Sequence, residues 1–156
     1  FVAHSFEKSR TRGFWLYALM TLKNFAKMKP FLVEIQIENQ EPFSEEVFDL
    51  TIANTRQFGY NAFIAPEAKP NDGIIDIVIL KPFPKILAPL IIYRLFRRTI
   101  KDSRYVKYLK TGESFIIRTK EKRYHIDGDP FEMEGEINVR IRRNAPTVLK
   151  TKRNKF

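Results

Sequence analysis

Two aspartates separated by one glycine, Asp127-Gly128-Asp129, are the residues of this sequence whose types and spacing best suit chemistry. They follow Tyr124-His125-Ile126, which reads as a short strand, so they stand at a strand end. On extended backbone the two carboxylates point to opposite faces, and Gly128 lets the chain turn and bring both near one ligand. A carboxylate pair can hold Mg²⁺ beside phosphate, or accept a hydroxyl proton as a phosphoryl group moves. The same three residues also suit a plain β-turn, because Asp and Gly are favoured there.

Two further stretches carry candidate groups. From Thr51 to Leu80 an irregular segment is bracketed by apolar runs. Phe48, Leu50 and Ile52 alternate with Asp49 and Thr51 as in a half-buried strand, and Ile74 to Leu80 is apolar except for Asp76. Between them Asn54, Gly59, Asn61, Pro66, Pro70 and Asn71-Asp72-Gly73 punctuate the backbone. A loop this long between two strands usually has work to do. In the other stretch, Arg94, Arg97, Arg98 and Lys101 recur at helical spacing after Ile86, Leu87, Leu90 and Ile91. A helix would gather these cations on one stripe. That stripe suits the headgroup level of an anionic membrane, or equally the solvated basic end of a core helix.

The order strand, Asn54, Gly59, Ala65-Pro66, Ala68, Asp72-Gly73, Asp76, strand resembles the C-terminal domain of the diacylglycerol kinase/sphingosine kinase family of lipid kinases, in its bacterial form. Tyr124 to Asp129 resembles that family's late Asp-Gly-Glu motif, and the resemblance runs from about Arg12 to Leu149. It implies that the late motif faces nucleotide phosphates across an interdomain cleft. Asp127 would then be a general base or metal organiser and Asp129 a phosphate-side metal partner, with Gly128 and Asn54 on the nucleotide side. The family usually has Glu where Asp129 stands; the shorter arm favours contact through water. In bacterial relatives a structural cation sits in the earlier loop, at positions that are Lys69, Asp72 and Ile74 here. A charged lysine cannot ligate metal, so the expectation is no metal there and a Lys69–Asp72 ion pair instead. Asp76 is expected to face solvent on an edge. The resemblance also sets the helix over 85–101 near the lipid entry, with Ile86, Leu90, Arg94, Arg97 and Arg98 facing lipid and membrane.

The family's glycine-rich nucleotide loop and Gly-Gly-Asp-Gly-Thr stretch do not occur in this sequence, which has only six glycines and so no phosphate cradle of its own. The resemblance therefore implies that ATP and Mg²⁺ are bound mainly by an N-terminal kinase domain outside this sequence. The longer protein would phosphorylate a hydroxyl of diacylglycerol or a long-chain base, and this part alone would be inactive.

The elements that must position these groups are mostly strands. Phe14, Trp15, Ala18, Leu19, Leu22, Phe25 and Ala26 share one face of an opening helix that Lys29-Pro30 ends. Phe31, Val33, Ile35 and Ile37 alternate with Leu32, Glu34 and Gln36, and Glu38 to Glu41 turn the chain so that Val47 to Ala53 returns as a hairpin. Glu34 and Glu45 are expected to be merely solvated. Phe115 to Thr119 and Tyr124 to Ile126 flank Lys120–Arg123 as a second hairpin. Phe131 to Met133, Ile137 to Ile141 and Val148-Leu149 continue the strands. The reading is a mainly β (α+β) domain, an antiparallel sandwich or barrel-like fold with two or so helices.

At 156 residues, 1–156 reads as one domain, with a basic tail over 150–156. It begins with Phe and shows no basic-then-apolar leader, so it reads as a piece cut from a longer protein. The longest apolar run, Ile86 to Phe96, contains Pro89 and Arg94 and falls short of the roughly 18–20 residues that span a bilayer. Absence of Cys excludes disulfides and thiolate-bound metal and suits a cytoplasmic, peripherally membrane-associated protein. A net charge of +10 asks for an anionic partner. A nucleic-acid-binding module is one rival reading, but its aromatic residues lie in apolar alternation rather than among Lys and Arg, so nucleic acid is not the expected partner. A non-catalytic membrane adaptor is the other. A homodimer is compatible with either.

Overall fold

The computed structural model describes residues 25, 28–59 and 61–142. The opening helix, apart from Phe25, together with Val148-Leu149 and the basic tail, lies outside the described residues.

Nine strands form two facing sheets and a separate ribbon. The first sheet contains β1 (Phe31–Ile37), β2 (Phe43–Val47), β6 (Phe115–Thr119) and β9 (Glu136–Val139), in the order β2-β1-β6-β9. The second contains β3 (Asp49–Ala53), β4 (Ile75–Leu80) and β5 (Val106–Thr111), in the order β3-β4-β5. Strands β7 (Arg123–Ile126) and β8 (Asp129–Glu132) pair only with each other. All pairings are antiparallel. Among the described residues the sheets do not close into a barrel, so the fold is a sandwich.

Alternation in sequence makes the sandwich. The inward side chains Val33, Ile35, Ile37, Val47, Phe115 and Ile117 of the first sheet meet Ile77 and Ile79 of β4, all buried. β4 is covered on both faces, which explains why it reads as a continuous apolar run. Its other face, with Val78, packs under Ile64, Ala65 and Ala68 of the long loop, beside Ala53 of β3. Those alanines are small enough to let loop backbone lie directly on a sheet. Tyr108 of β5 donates its hydroxyl proton to the Ile64 carbonyl, Arg56 Nε donates to the Ala68 carbonyl (3.3 Å), and the Ala65 N–H donates to the Arg56 carbonyl (3.1 Å).

One α-helix, α1 (Ala88–Arg97), is described, preceded by a 3₁₀ turn at Lys85–Leu87 and followed by another at Ile100–Asp102. Pro89 falls in its first turn, where the missing N–H costs nothing. Ala88, Ile91 and Ile100 seat the helix on Phe25, Phe48 and Phe83, whose rings stack and meet edge-on at 4.9–5.5 Å.

Three expectations change. The strand returning from β1 is β2, not Val47–Ala53; buried Phe48 is a corner where the chain switches sheets, its N–H bonded to the Leu80 carbonyl (2.8 Å). β6 does not form a hairpin with β7, because both its edges are taken by β1 and β9. Glu34 and Glu45 are not merely solvated. Glu34 pairs with Arg118 (2.7 Å), and Glu45 bridges Lys107 (2.7 Å) and Lys81 (3.5 Å). The Lys107 hydrogen bond holds the Glu45 carboxyl below its usual range.

Candidate functional site

Asp127 and Gly128 are the two loop residues of the β7–β8 hairpin, both with positive φ (52° and 96°), the twist that two-residue hairpin loops require. Glycine accommodates that geometry without strain, and Asp is among the few other residues that tolerate it. Asp129 starts β8 opposite Ile126. The tip is open: Asp127, Gly128 and Asp129 are all exposed, and no atom comes within 4 Å of a Cβ placed on Gly128. Asp127 and Asp129 form no ion pair or side-chain hydrogen bond with another described residue. Among the described residues both carboxylates are thus free for an external ligand, and the plain-turn and ligand-binding readings share one geometry.

The ribbon is fixed at its root. Tyr124 donates to the Glu121 carbonyl, Glu121 pairs with Arg123 (2.9 Å), Lys122 pairs with Glu134, and the Met133 N–H reaches the Lys122 carbonyl (3.0 Å). On one face His125 meets the Phe58 ring edge-on at 6.3 Å. That contact sets the ribbon against the long loop containing exposed Asn54. Beneath it burial pushes the Asp49 carboxyl up, opposed by the Thr51 hydroxyl it accepts (2.6 Å) and by the nearby His125. The loop continues to α1, where the Phe63 N–H bonds the Leu95 carbonyl (2.9 Å) and the Arg98 guanidinium lies over the Phe63 ring (4.1 Å). The same loop thus touches the ribbon through Phe58 and α1 through Phe63.

The Lys69–Asp72 ion pair does not form. Asp72 Oδ1 instead accepts the Ile74 N–H (3.0 Å), a local bond that fixes the turn at Gly73 (φ 70°) and leads into β4. Asp76 does not face solvent on an edge. It lies in the central strand, 2% exposed, with Oδ1 unpaired except for Lys110 Nζ at 3.7 Å. Burial raises its carboxyl above the usual range against the pull of Lys110. The charged neighbours Glu67, Lys101 and Lys110 form a chain at the surface above it, Lys101 pairing with Glu67 and Lys110 reaching it at 3.4 Å.

The basic stripe is interrupted. α1 stops at Arg97 because Arg98 adopts the left-handed conformation (φ 60°), and Lys101 falls in the next turn. Of the apolar side chains, Ile91 is buried and Leu87 and Leu95 are half-buried, whereas Ile86 (86% exposed) and Leu90 (47%) turn outward with Tyr93 (58%). Sequence reading missed Tyr93, Phe58 and Arg104. Tyr93 completes the i, i+4, i+7 series with Ile86 and Leu90 and was legible. Phe58 and Arg104 reach their places only through chain reversals.

Among the described residues no three His, Cys, Asp or Glu side chains gather as a metal cage. The hairpin carboxylates fit Mg²⁺ only in its usual mode, where one or two carboxylates share the ion with phosphates and water.

Comparison with known proteins agrees with this architecture. Three solved structures from Bacillus anthracis str. Sterne share the fold. A protein described as a "putative diacylglycerol kinase" is 20% identical over 78% of this chain and 38% of its own, with a TM-score of 0.57. A second of the same description is 18% identical over 86% and 43%, TM-score 0.52. A diacylglycerol kinase is 20% identical over 64% and 36%, TM-score 0.50. The chain thus spans about two fifths of these proteins. No relative among curated proteins matches. The family model for the YegS C-terminal NAD kinase beta sandwich-like domain matches residues 2–151, and the chain belongs to that family.

Proposed function

We propose that this domain is the lipid-facing half of an ATP-dependent lipid kinase that phosphorylates a hydroxyl of diacylglycerol or a long-chain base. One observation carries the reading: two carboxylates, free of partners among the described residues, are held at the tip of a ribbon that projects from the sandwich. That is where a second domain's bound nucleotide could be met. The tip would supply Asp127 to accept the hydroxyl proton or organise Mg²⁺, and Asp129 to bind the ion on its phosphate side through water. Gly128 keeps the backbone bare there, and Asn54 lies on the neighbouring loop. ATP and Mg²⁺ would be bound mainly by an N-terminal kinase domain, the ion supplying charge neutralisation at the phosphates. Such an enzyme works at an anionic membrane surface. The side towards it would be Ile86, Leu90, Arg94, Arg97 and Arg98, on a cytoplasmic, peripherally attached protein. The solved structures named diacylglycerol kinase support the reading by fold.

The test uses the full-length protein with labelled ATP, Mg²⁺ and a lipid panel. Label is expected in a lipid product and should fall by about 10²–10⁴-fold in Asp127→Asn. No labelled lipid from a folded protein would refute the reading; label undiminished in the variant would remove Asp127 from the site. A non-catalytic lipid-surface module is the second reading, favoured by the outward apolar face of α1.

A further inference from the structure

We propose that the cleft between α1 and the turn at Ser103–Tyr105 holds the phosphate of an anionic phospholipid, docking the domain on the bilayer apart from the hairpin tip. The inference rests on the membrane-facing reading of α1, and not on phosphoryl transfer. The cleft has a volume of about 220 Å³ and is lined by Leu87, Leu90 and Ile91 together with Arg94, Ser103 and Arg104. No carboxylate lines it. Its surface is mostly apolar, so the space suits the methylenes beside a headgroup phosphate, with the phosphate itself at the arginines, and is too small for a whole acyl chain.

Both guanidiniums are held in place and keep donors to spare. Arg94 Nη1 donates to the Thr99 carbonyl (3.3 Å), while Arg104 stacks over Tyr105 (4.8 Å to the ring centre) and donates to its hydroxyl (2.6 Å). Each guanidinium carries five N–H groups, and the planar fork matches phosphate oxygens. Ile86 in the preceding 3₁₀ turn, Leu90 at the cleft's edge and Tyr93 of α1 form one exposed line, with Arg97 one turn further on. A helix with this outer face lies in the plane of the membrane interface. Its aliphatic chains enter the acyl boundary, Tyr93 sits at headgroup level, and the arginine stems reach outward.

Charge selects the occupant. From Lys81 to Lys101 the chain has six basic residues and no acidic one; Lys81 and Lys101 pair with Glu45 and Glu67, and Arg94, Arg97 and Arg98 set the sign of charge at the end of α1. A second copy docking through this face about a twofold axis would set arginines against arginines. Nucleic acid would gain charge neutralisation but find a single exposed ring, Tyr93, beside the aliphatic Ile86 and Leu90, where a run of bases needs several rings to stack on. An anionic bilayer satisfies the apolar line and the cations together.

The experiment is flotation of the full-length protein, without ATP, on vesicles of phosphatidylcholine alone or mixed with phosphatidylglycerol. Binding is expected on the mixed vesicles and should weaken on the neutral ones. A basic residue near an anionic surface contributes about fivefold in partition, so Arg94→Gln with Arg104→Gln should lose about 30-fold on mixed vesicles. Restoring both as Lys should recover part of that loss. Ile86→Ser with Leu90→Ser should weaken binding to either vesicle. If losing the Thr99 bond perturbs folding, seen by circular dichroism, Arg104→Gln alone carries the test with about a fivefold loss. Asp127→Asn is expected to float like the wild type, so a failure of the kinase reading leaves this result standing. Equal binding to neutral and mixed vesicles, or folded arginine variants that float like wild type, would overturn the proposal. So would lipid-free dimers that Ile86→Ser with Leu90→Ser dissociates, or an oligonucleotide that displaces the vesicles.

Discussion

Removing Lys110 should cost far more than removing the charge it faces. Asp76 and Lys110 are directly opposed across β4 and β5, with Nζ 3.7 Å from the buried Oδ1. At that distance the attraction is about 4–5 kcal/mol for an effective dielectric of 20. Lys110 is 45% exposed and shared with Glu67, so solvent screens most of this. What remains is about 1–3 kcal/mol, the usual cost of leaving a buried polar group unpaired. Lys110→Met should lose that amount at about pH 7, lowering Tm by about 2–4 °C per kcal/mol. Asp76→Asn should lose less than ~1 kcal/mol or gain stability, because the amide avoids the desolvation that raises the carboxyl, and Lys110 keeps Glu67. The pH dependence has a definite sign. The folded-state value lies above the ordinary 3.8, so the native state binds the proton more tightly. Stability from this group is full below 3.8 and is lost as pH rises through the raised value. Lys110→Met extends that loss upward, so its penalty should shrink at about pH 4, and Asp76→Asn should flatten the slope. Urea unfolding at both pH values measures all three proteins. The reasoning fails if Lys110→Met is no more destabilising than Asp76→Asn at about pH 7.

Three further outcomes follow from the geometry. Gly128→Ala places a Cβ at φ 96° in open space, so steric contact costs nothing and backbone strain about 1–2 kcal/mol; faster hydrogen exchange in β7 and β8 with unchanged global unfolding would show it. Tyr108→Phe removes the bond to the Ile64 carbonyl and should cost about 1 kcal/mol in urea unfolding, with loosened exchange confined to the long loop. Ile77→Ala opens the centre of the sandwich core and should cost about 2–5 kcal/mol, which a thermal melt would resolve easily.

Much of the architecture could be read from pattern. The alternation of Phe31 to Ile37 set its buried face, and the apolar run from Ile74 to Leu80 marked a strand, though not that both its faces are covered. The order of Asn54, Gly59, Asp72-Gly73 and the late Asp-Gly-Asp carried the resemblance. Pairing was less legible. Sequence order suggests Tyr124 to Ile126 as the hairpin partner of β6, yet the tighter Asp127-Gly128 turn pairs it with β8, and β6 goes to β9. A short turn closes at the smallest entropy cost, whereas sheet neighbours distant in sequence depend on which apolar faces match in three dimensions.

The sequence by itself determined several of the strands, though not β2 or β5, which residues can turn, and that two carboxylates stand at a strand end, because those properties follow from local sterics and periods of two and 3.6. Only the tertiary structure decided the rest. It buried Asp76 under a loop anchored by Ala65 and Ala68, turned Ile86 and Leu90 outward by filling the inner side of α1 with phenylalanines, and set Arg104 beside Arg94 across a chain reversal. Burial and neighbourhood are set by the whole chain's packing, and no local period encodes which surface a segment will meet.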